Sequence, residues 1–150
     1  MSYFVFGLID TAGGDCAEGA RRSAAAEGMD LKLGDDIGQP VLSEMLGAYS
    51  PTVSVPFLLT STSSEDTSDS LISPFVASEA ARAHAFAAIG RWLIATLRLP
   101  EVERVRVWMT EGYDSAFERL NVSAEHFADE VIRRVAAAGD VPSLIVSVPR

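Results

Sequence analysis

The segment from Ser78 to Thr110 constrains the fold most, because a long helical repeat is followed at once by a strict two-residue alternation. In the first part, mostly apolar side chains recur at helical spacing, and Pro100 marks the helix end. They are Ala85, Phe86, Ile89, Trp92, Leu93, Thr96 and Leu97. The second part then alternates, with Val105, Val107 and Met109 on one side and Arg104, Arg106 and Trp108 on the other. A helix followed by a two-faced strand predicts a layered α/β domain.

The remaining elements follow from composition and from turn residues. Strands are predicted at Tyr3–Ile9, covered on both faces, at Thr52–Thr60 and at Leu144–Val148. Helices are predicted at Cys16–Glu27, from Pro40 to Tyr49, and from a Ser123 cap to Gly139, with Phe127, Val131 and Val135 aligned. Pro56 places the second strand at an edge or a bulge. The polar run Ser61–Ser70 predicts a loop.

These elements predict one α/β domain over residues 1–150, since that length is typical of a single domain. The predicted sheet has about four strands, mostly parallel or mixed, with three to four helices. The last two predicted strands flank a helix, which favours a right-handed parallel pair.

The net charge is −9 and the sequence pI is about 4.6, which argues against nucleic-acid binding, because phosphate contacts need Lys and Arg. Residues 1–75 hold eleven acids against three basic residues, whereas residues 76–150 are almost balanced. Such an imbalance attracts a cationic protein partner, although it also serves plain solubility. The acids predicted to bind that partner are Asp15, Glu18, Asp35, Asp36, Glu65, Asp66 and Asp69.

The stretch D-T-A-G at Asp10–Gly13 has the form that GTP-hydrolysing proteins place at a strand end. Those proteins also need a phosphate-binding G-x-x-x-x-G-K-[ST] loop upstream, and only nine residues precede Asp10. The sole lysine, Lys32, lies downstream in a different context. The sequence therefore predicts no nucleotide cofactor, and we interpret D-T-A-G as part of a turn.

Other catalytic signals are weak. The acidic neighbours of Cys16 disfavour a reactive thiolate, so a packed, inert thiol is predicted. The chain has no second cysteine with which Cys16 could form a disulfide. His84 and His126 lack the spacing of metal ligands, so no metal is predicted. The start of the chain lacks the basic region of a signal peptide, and no apolar run reaches membrane-spanning length. A cytoplasmic protein is expected.

One constellation could still carry chemistry, the turn Thr110–Asp114. Glu111 could act as a general base with Tyr113 as an orienting donor, or the turn could be simply polar. Trp108 is either covered by a helix or exposed as an anchor for a partner.

The segment Val105–Ile132, "VRVWMTEGYDSAFERLNVSAEHFADEVI", resembles part of several small bacterial immunity proteins of contact-dependent and related toxin systems. In these proteins a strand ends in a T-E-G or S-E-G turn, and an F…V…F approach then leads into a helix. The resemblance implies a non-enzymatic role, the cytoplasmic binding of a cognate toxin that is often a basic nuclease. With it, Glu111 and Tyr113 join the predicted partner-binding residues.

Three functions are therefore open. The first is a toxin-neutralising binding protein. The second is a small enzyme or ligand-binding domain that uses the Thr110–Asp114 turn. The third is a structural or assembly subunit, such as a homodimer joined through Trp108.

Overall fold

The computed structural model describes residues 4–13, 15–34, 54–61, 79–110, 117–138 and 143–150. Its strands are β1 (Phe4–Thr11), β2 (Met29–Leu33), β3 (Ser54–Ser61), β4 (Val102–Thr110), β5 (Glu118–Asn121) and β6 (Leu144–Pro149). Its helices are α1 (Ala17–Ala26), α2 (Glu79–Leu97) and α3 (Phe127–Ala138), the last preceded by a 3-10 turn at Ala124–His126. The strands form one sheet in the order β2-β3-β1-β4-β6-β5.

The α/β class is confirmed and the sheet is mixed, which was one of the two predicted kinds, but the predicted number of about four strands and the mostly parallel alternative are wrong. The sheet has six strands, and β5 and β6 form its only parallel pair among the described strands. β4 and β6, which were expected to be parallel, pair antiparallel. The reason is that α3 connects β5 to β6 rather than β4 to β6, and β5 has no strong signal in the sequence.

All three described helices contribute to a core on one face of the sheet. The face of α2 that the sequence predicted is buried, with Phe86, Ile89, Trp92 and Leu93 each at most 1% exposed. The predicted alignment on α3 is confirmed as well, because its three apolar side chains also enter this core. From the sheet, Val105, Val107 and Met109 of β4 point toward the same core.

The opposite face of the sheet also carries buried apolar side chains. Phe6 and Leu8 of β1, Leu58 of β3 and Trp108 of β4 are all at most 5% exposed. The rings of Phe6 and Trp108 are stacked, with centroids 6.3 Å apart. The prediction that the first strand is covered on both faces is therefore confirmed, and Trp108 is not the exposed anchor that was one of its two interpretations.

Pro56 predicted an edge or a bulge, and this holds at the residue itself but not for the strand as a whole. β3 lies between β2 and β1, so it is not an edge strand. However, β2 pairs only with Phe57–Ser61, whereas Pro56 pairs with Leu8 of β1 alone. Proline has no N–H to donate to a strand ladder. Because Pro56 lies just beyond the end of β2, no hydrogen bond to β2 is lost at this position.

None of the described helices is long and apolar enough to cross a membrane. The predicted helix Pro40–Tyr49 and residues 62–70 of the predicted polar loop lie outside the described residues.

Gly7 lies where β1 is closely flanked on both sides, paired with Phe57 of β3 and Val107 of β4. A Cβ at this position would meet the backbone oxygen of Arg106 and would lie 2.9 Å from the ring of Phe57. We expect Gly7→Ala to lower the free energy of unfolding by about 1–3 kcal/mol, because backbone cannot move aside as a flexible side chain can. Urea unfolding followed by fluorescence measures this change.

The matched control is Gly90→Ala in the interior of α2. There the nearest atom to an added Cβ is 3.8 Å away, an ordinary contact. Alanine favours helix over glycine, so this variant should be as stable as the parent or more stable. Equal effects of the two substitutions would contradict the close approach at Gly7.

Candidate functional site

The strand registers define two ends of the sheet. At the end that we call the Thr110 end, Thr110 pairs with Phe4, Met109 with Leu144, and Leu144 with Glu118. β3 also finishes at this end, since Leu59 pairs with Val5 of the first strand. At the opposite end, the Asp10 end, Asp10 pairs with both Ser54 and Arg104.

The net charge is distributed unevenly between the described framework and the rest of the chain. All twelve Lys and Arg lie in the described ranges, and twelve of the 21 acids lie there too. The framework is therefore formally neutral, and the other nine acids equal the whole net charge of −9. These nine are Asp35, Asp36, Glu44, Glu65, Asp66, Asp69, Glu111, Asp114 and Asp140.

Three of the acidic segments are joined to strands at the Thr110 end. Residues 62–78 follow the last residue of β3, residues 111–116 follow β4, and residues 139–142 precede β6. Together they hold six acids and no base. Residues 35–53 precede β3 and are joined to it at the Asp10 end.

Two of the predicted partner-binding acids are described, and both lie at the start of α1, which follows the Asp10 end. Asp15 is exposed, and its Oδ1 accepts a hydrogen bond from the backbone N–H of Ala17 at 2.9 Å. Glu18 forms an exposed ion pair with Arg22 at 2.7 Å, so its charge is compensated locally. The structure thus separates these two from the strand ends that lead to the Thr110-end segments. Asp35, Asp36, Glu65, Asp66, Asp69, Glu111 and Tyr113 lie outside the described residues.

Asp10, the acid of the D-T-A-G stretch, belongs to a half-buried ionic network on the face of the sheet opposite the helices. Its Oδ2 accepts from Arg104 Nε at 2.9 Å, and its Oδ1 accepts from Arg106 at 2.8 Å and from Ser54 Oγ at 2.7 Å. Both carboxylate oxygens are therefore engaged by side chains of the protein itself. This arrangement gives Asp10 a structural role at the place where a nucleotide-binding protein would use it to hold magnesium through water.

The protonation of Asp10 follows from these contacts. Burial raises the pKa of the carboxyl, but the hydrogen bonds from Arg106, Ser54 and Arg104, with the charge of Arg106, outweigh it. The pKa of Asp10 therefore lies below its ordinary value of 3.8, and the group is ionised at neutral pH. The sequence placed both arginines on one face of β4 but could not reveal their partner, which is 94 residues away from Arg104.

The proposed catalytic turn begins with Thr110, which is fully buried. Its hydroxyl lies 2.9 Å from Ser143 Oγ, so it links the end of β4 to the start of β6. That position gives Thr110 a structural role, and Asp114 at the other end of the turn lies outside the described residues.

Cys16 caps α1 and is 3% exposed. Burial raises the pKa of its thiol, and the charges of Asp15 and Glu101 add to this effect against the smaller opposing influence of a backbone hydrogen bond. The thiol is consequently protonated at neutral pH, as expected for a packed cysteine. Within the described ranges, no group of three or more His, Cys, Asp or Glu is placed to hold a metal ion.

Buried contacts thus account for Asp10, Cys16 and Thr110, and the nine acids outside the described ranges equal the net charge of the chain. Compared with known proteins, the chain matches no family model, no curated protein and no solved structure.

Proposed function

We propose that the chain is a cytoplasmic acidic protein that binds and neutralises a cognate cationic toxin. The observation that carries this proposal is the division of charge between a formally neutral framework and segments that together hold nine acids and no base. A segment that holds acids and no base carries a net negative charge, and the field of such a charge speeds encounter with a protein of opposite charge.

The position of three of these segments supports a common binding surface. Six of the nine acids lie on segments joined to the Thr110 end: Glu65, Asp66, Asp69, Glu111, Asp114 and Asp140. The Debye length is about 8 Å at physiological salt, so charges on neighbouring segments reinforce one another most where they lie within about that distance. A basic toxin domain is the partner that such a group of acids favours.

The resemblance to immunity proteins supports the same region. Val105–Ile132 includes the carboxyl-terminal part of β4, the segment 111–116, β5 and the first half of α3. Glu111 and Tyr113, the partner-binding residues that this resemblance added, follow Thr110 directly. The charge division and the resemblance thus favour the same end of the sheet.

The test uses the product of the gene immediately upstream as the binding partner. We expect the two proteins to form a complex, and co-expression to protect cells from the toxicity of that product. Changing Glu65, Asp66 and Asp69 to Ser should lower the association rate constant several-fold at low salt, with less effect on dissociation, because peripheral charges act mainly on encounter. Stopped-flow fluorescence at two salt concentrations measures both rates.

The matched control changes three exposed acids of the framework, Asp30, Glu103 and Glu125, to Ser. The negative net charge is reduced by the same amount, and none of the three is engaged in an ion pair among the described residues. This control should retain most of the association rate. If both triple variants slowed association equally, net charge alone would be responsible, and a complex indifferent to salt and to both variants would exclude an electrostatic interface.

A further inference from the structure

β5 is the last strand of the sheet among the described residues, and none of them pairs with its outer edge. The backbone N–H of Glu118 bonds to Ser143 O at 3.0 Å, and that of Val122 bonds to Ser147 O at 3.1 Å. Because N–H groups alternate in direction along a strand, those of Arg119 and Asn121 point away from β6. Both residues are exposed, and no described residue hydrogen bonds to their outward backbone groups.

A groove of about 730 Å³ runs beside this edge, between β5 and the start of α3. Arg119 and Asn121 line it from the strand, and His126 and Arg134 line it from the helical side. Ser123 Oγ lies 2.7 Å from His126 Nδ1, which fixes the imidazole at the wall of the groove. The open backbone edge and the groove are therefore parts of one surface.

The charge of this groove differs from that of the chain as a whole. Arg134 is paired with Glu118, and Glu130 is paired with Arg133. Arg119 is exposed and has no ion pair within the described ranges, so among them it is a cation without a paired carboxylate. A ligand at this edge consequently meets a positive side chain next to unpaired backbone donors and acceptors.

We propose that β5 binds an extended peptide segment of a partner as a seventh strand of the sheet, with an acidic side chain of that peptide opposite Arg119. The outward N–H and C=O groups of Arg119 and Asn121 supply the backbone hydrogen bonds, and this mode of binding is the general use of an exposed sheet edge. The surface is formed by residues of β5, of α3 and of the turn between them, none of which belongs to the acidic segments of the proposed function, and the proposal does not depend on those segments. Its ligand carries the opposite charge.

The test is an ¹⁵N–¹H NMR titration with ten-residue synthetic peptides of alternating Thr and Val that carry Glu at two central positions. We expect saturable shifts centred on the amides of Arg119 and Asn121. The same peptide with Lys in place of Glu should bind about fivefold more weakly, which reflects the modest strength of an exposed ion pair. A version with N-methylated central amides should bind about tenfold more weakly or not at all, because it lacks the backbone donors.

Two variants of the protein complete the test. Asn121→Pro removes an outward donor that is not part of the ladder with β6, and proline is tolerated at such edge positions, so an otherwise unchanged amide spectrum should accompany loss of binding. Arg119→Glu should reverse the preference and favour the Lys peptide. Absence of saturable shifts at millimolar peptide, unchanged binding by the N-methylated peptide, or unchanged binding by both variants would overturn the proposal. Shifts at β5 that depend on protein concentration without peptide would also overturn it, since they would show self-association of this edge.

Discussion

Trp92→Ala should lower the free energy of unfolding by about 3–5 kcal/mol, a large part of the stability of a domain of this size. Trp92 is fully buried on α2, and its ring lies 5.1 Å from that of Phe57 on β3, centroid to centroid. Its Nε1–H also donates to the backbone oxygen of Ala20 on α1 at 3.1 Å. One side chain thus joins two helices to the sheet, so its truncation leaves a cavity at the junction of three elements.

Two controls separate the contributions to this loss. Trp92→Phe keeps a buried ring but removes the hydrogen bond to Ala20, so its cost should be smaller, about 1–2 kcal/mol. Ile132→Ala on α3 removes an apolar side chain that is 36% exposed and should cost less than about 1 kcal/mol. Chemical denaturation at constant pH gives all three values. A loss for Trp92→Ala no larger than that for Ile132→Ala would contradict the packing of α2 described here.

The core of the fold could be predicted because its signals are local and periodic. The apolar stripe of α2 and the alternation in β4 each extend over several repeats, and the structure buries the faces that they indicate. β2 also alternates, with Met29, Leu31 and Leu33 buried, but five residues directly after a helix were too few to be recognised. β5 offers only Leu120 as a buried residue, so backbone pairing with β6 rather than side-chain pattern defines that strand.

The error in sheet topology has the same origin. The rule that a helix between two neighbouring strands favours a parallel pair was sound, and it holds for β5, α3 and β6. It was applied to β4 and β6 because β5 had not been recognised. Because the four-residue strand β5 is absent from the prediction, β6 is predicted to run parallel to β4. The helix α3 and the strands β4 and β6 themselves are present as predicted.

The candidate surface could be predicted only in part. An excess of acids is visible in the sequence, but its assignment to residues 1–75 is only a coarse description of where those acids lie. Within the described ranges the twelve acids are matched by twelve bases, so the excess of acids belongs to the rest of the chain. The network around Asp10 could not be predicted, since it depends on the register of β1 against β3 and β4.

The second large effect is expected for Asp10→Ala, which should cost about 3 kcal/mol of stability at neutral pH. The Asp10 side chain is 10% exposed, and its removal leaves the Arg106 side chain, itself 18% exposed, without its buried counter-charge. Removal of one partner from a buried ion pair is costly because the remaining charge is poorly solvated. Arg104 is 46% exposed and can turn toward water, so Arg104→Met should cost much less.

The pH dependence of this loss identifies its electrostatic part. The pKa of Asp10 is lowered in the folded chain, so the folded state binds this proton less tightly than the unfolded state does. The stabilisation by Asp10 is therefore complete above the unfolded value of about 3.9 and declines as the pH falls through the lower folded value. Relative to the parent, Asp10→Asn should consequently be most destabilised at neutral pH, and the difference should shrink under acid conditions.

The double variant Asp10→Leu with Arg106→Met tests whether the loss comes from an unpaired charge or from lost packing. It removes both members of the pair, and apolar replacements of a buried pair are often neutral or stabilising. We therefore expect the double variant to recover most of the stability that Asp10→Ala loses, as measured by urea unfolding at pH 7. Recovery would assign the loss to the removal of the Asp10 charge from the partly buried Arg106 guanidinium. If the double variant were as unstable as the two single changes combined, the stability loss in Asp10→Ala would not come from a lost counter-charge. Asp10 would then join β1 to β4 through packing.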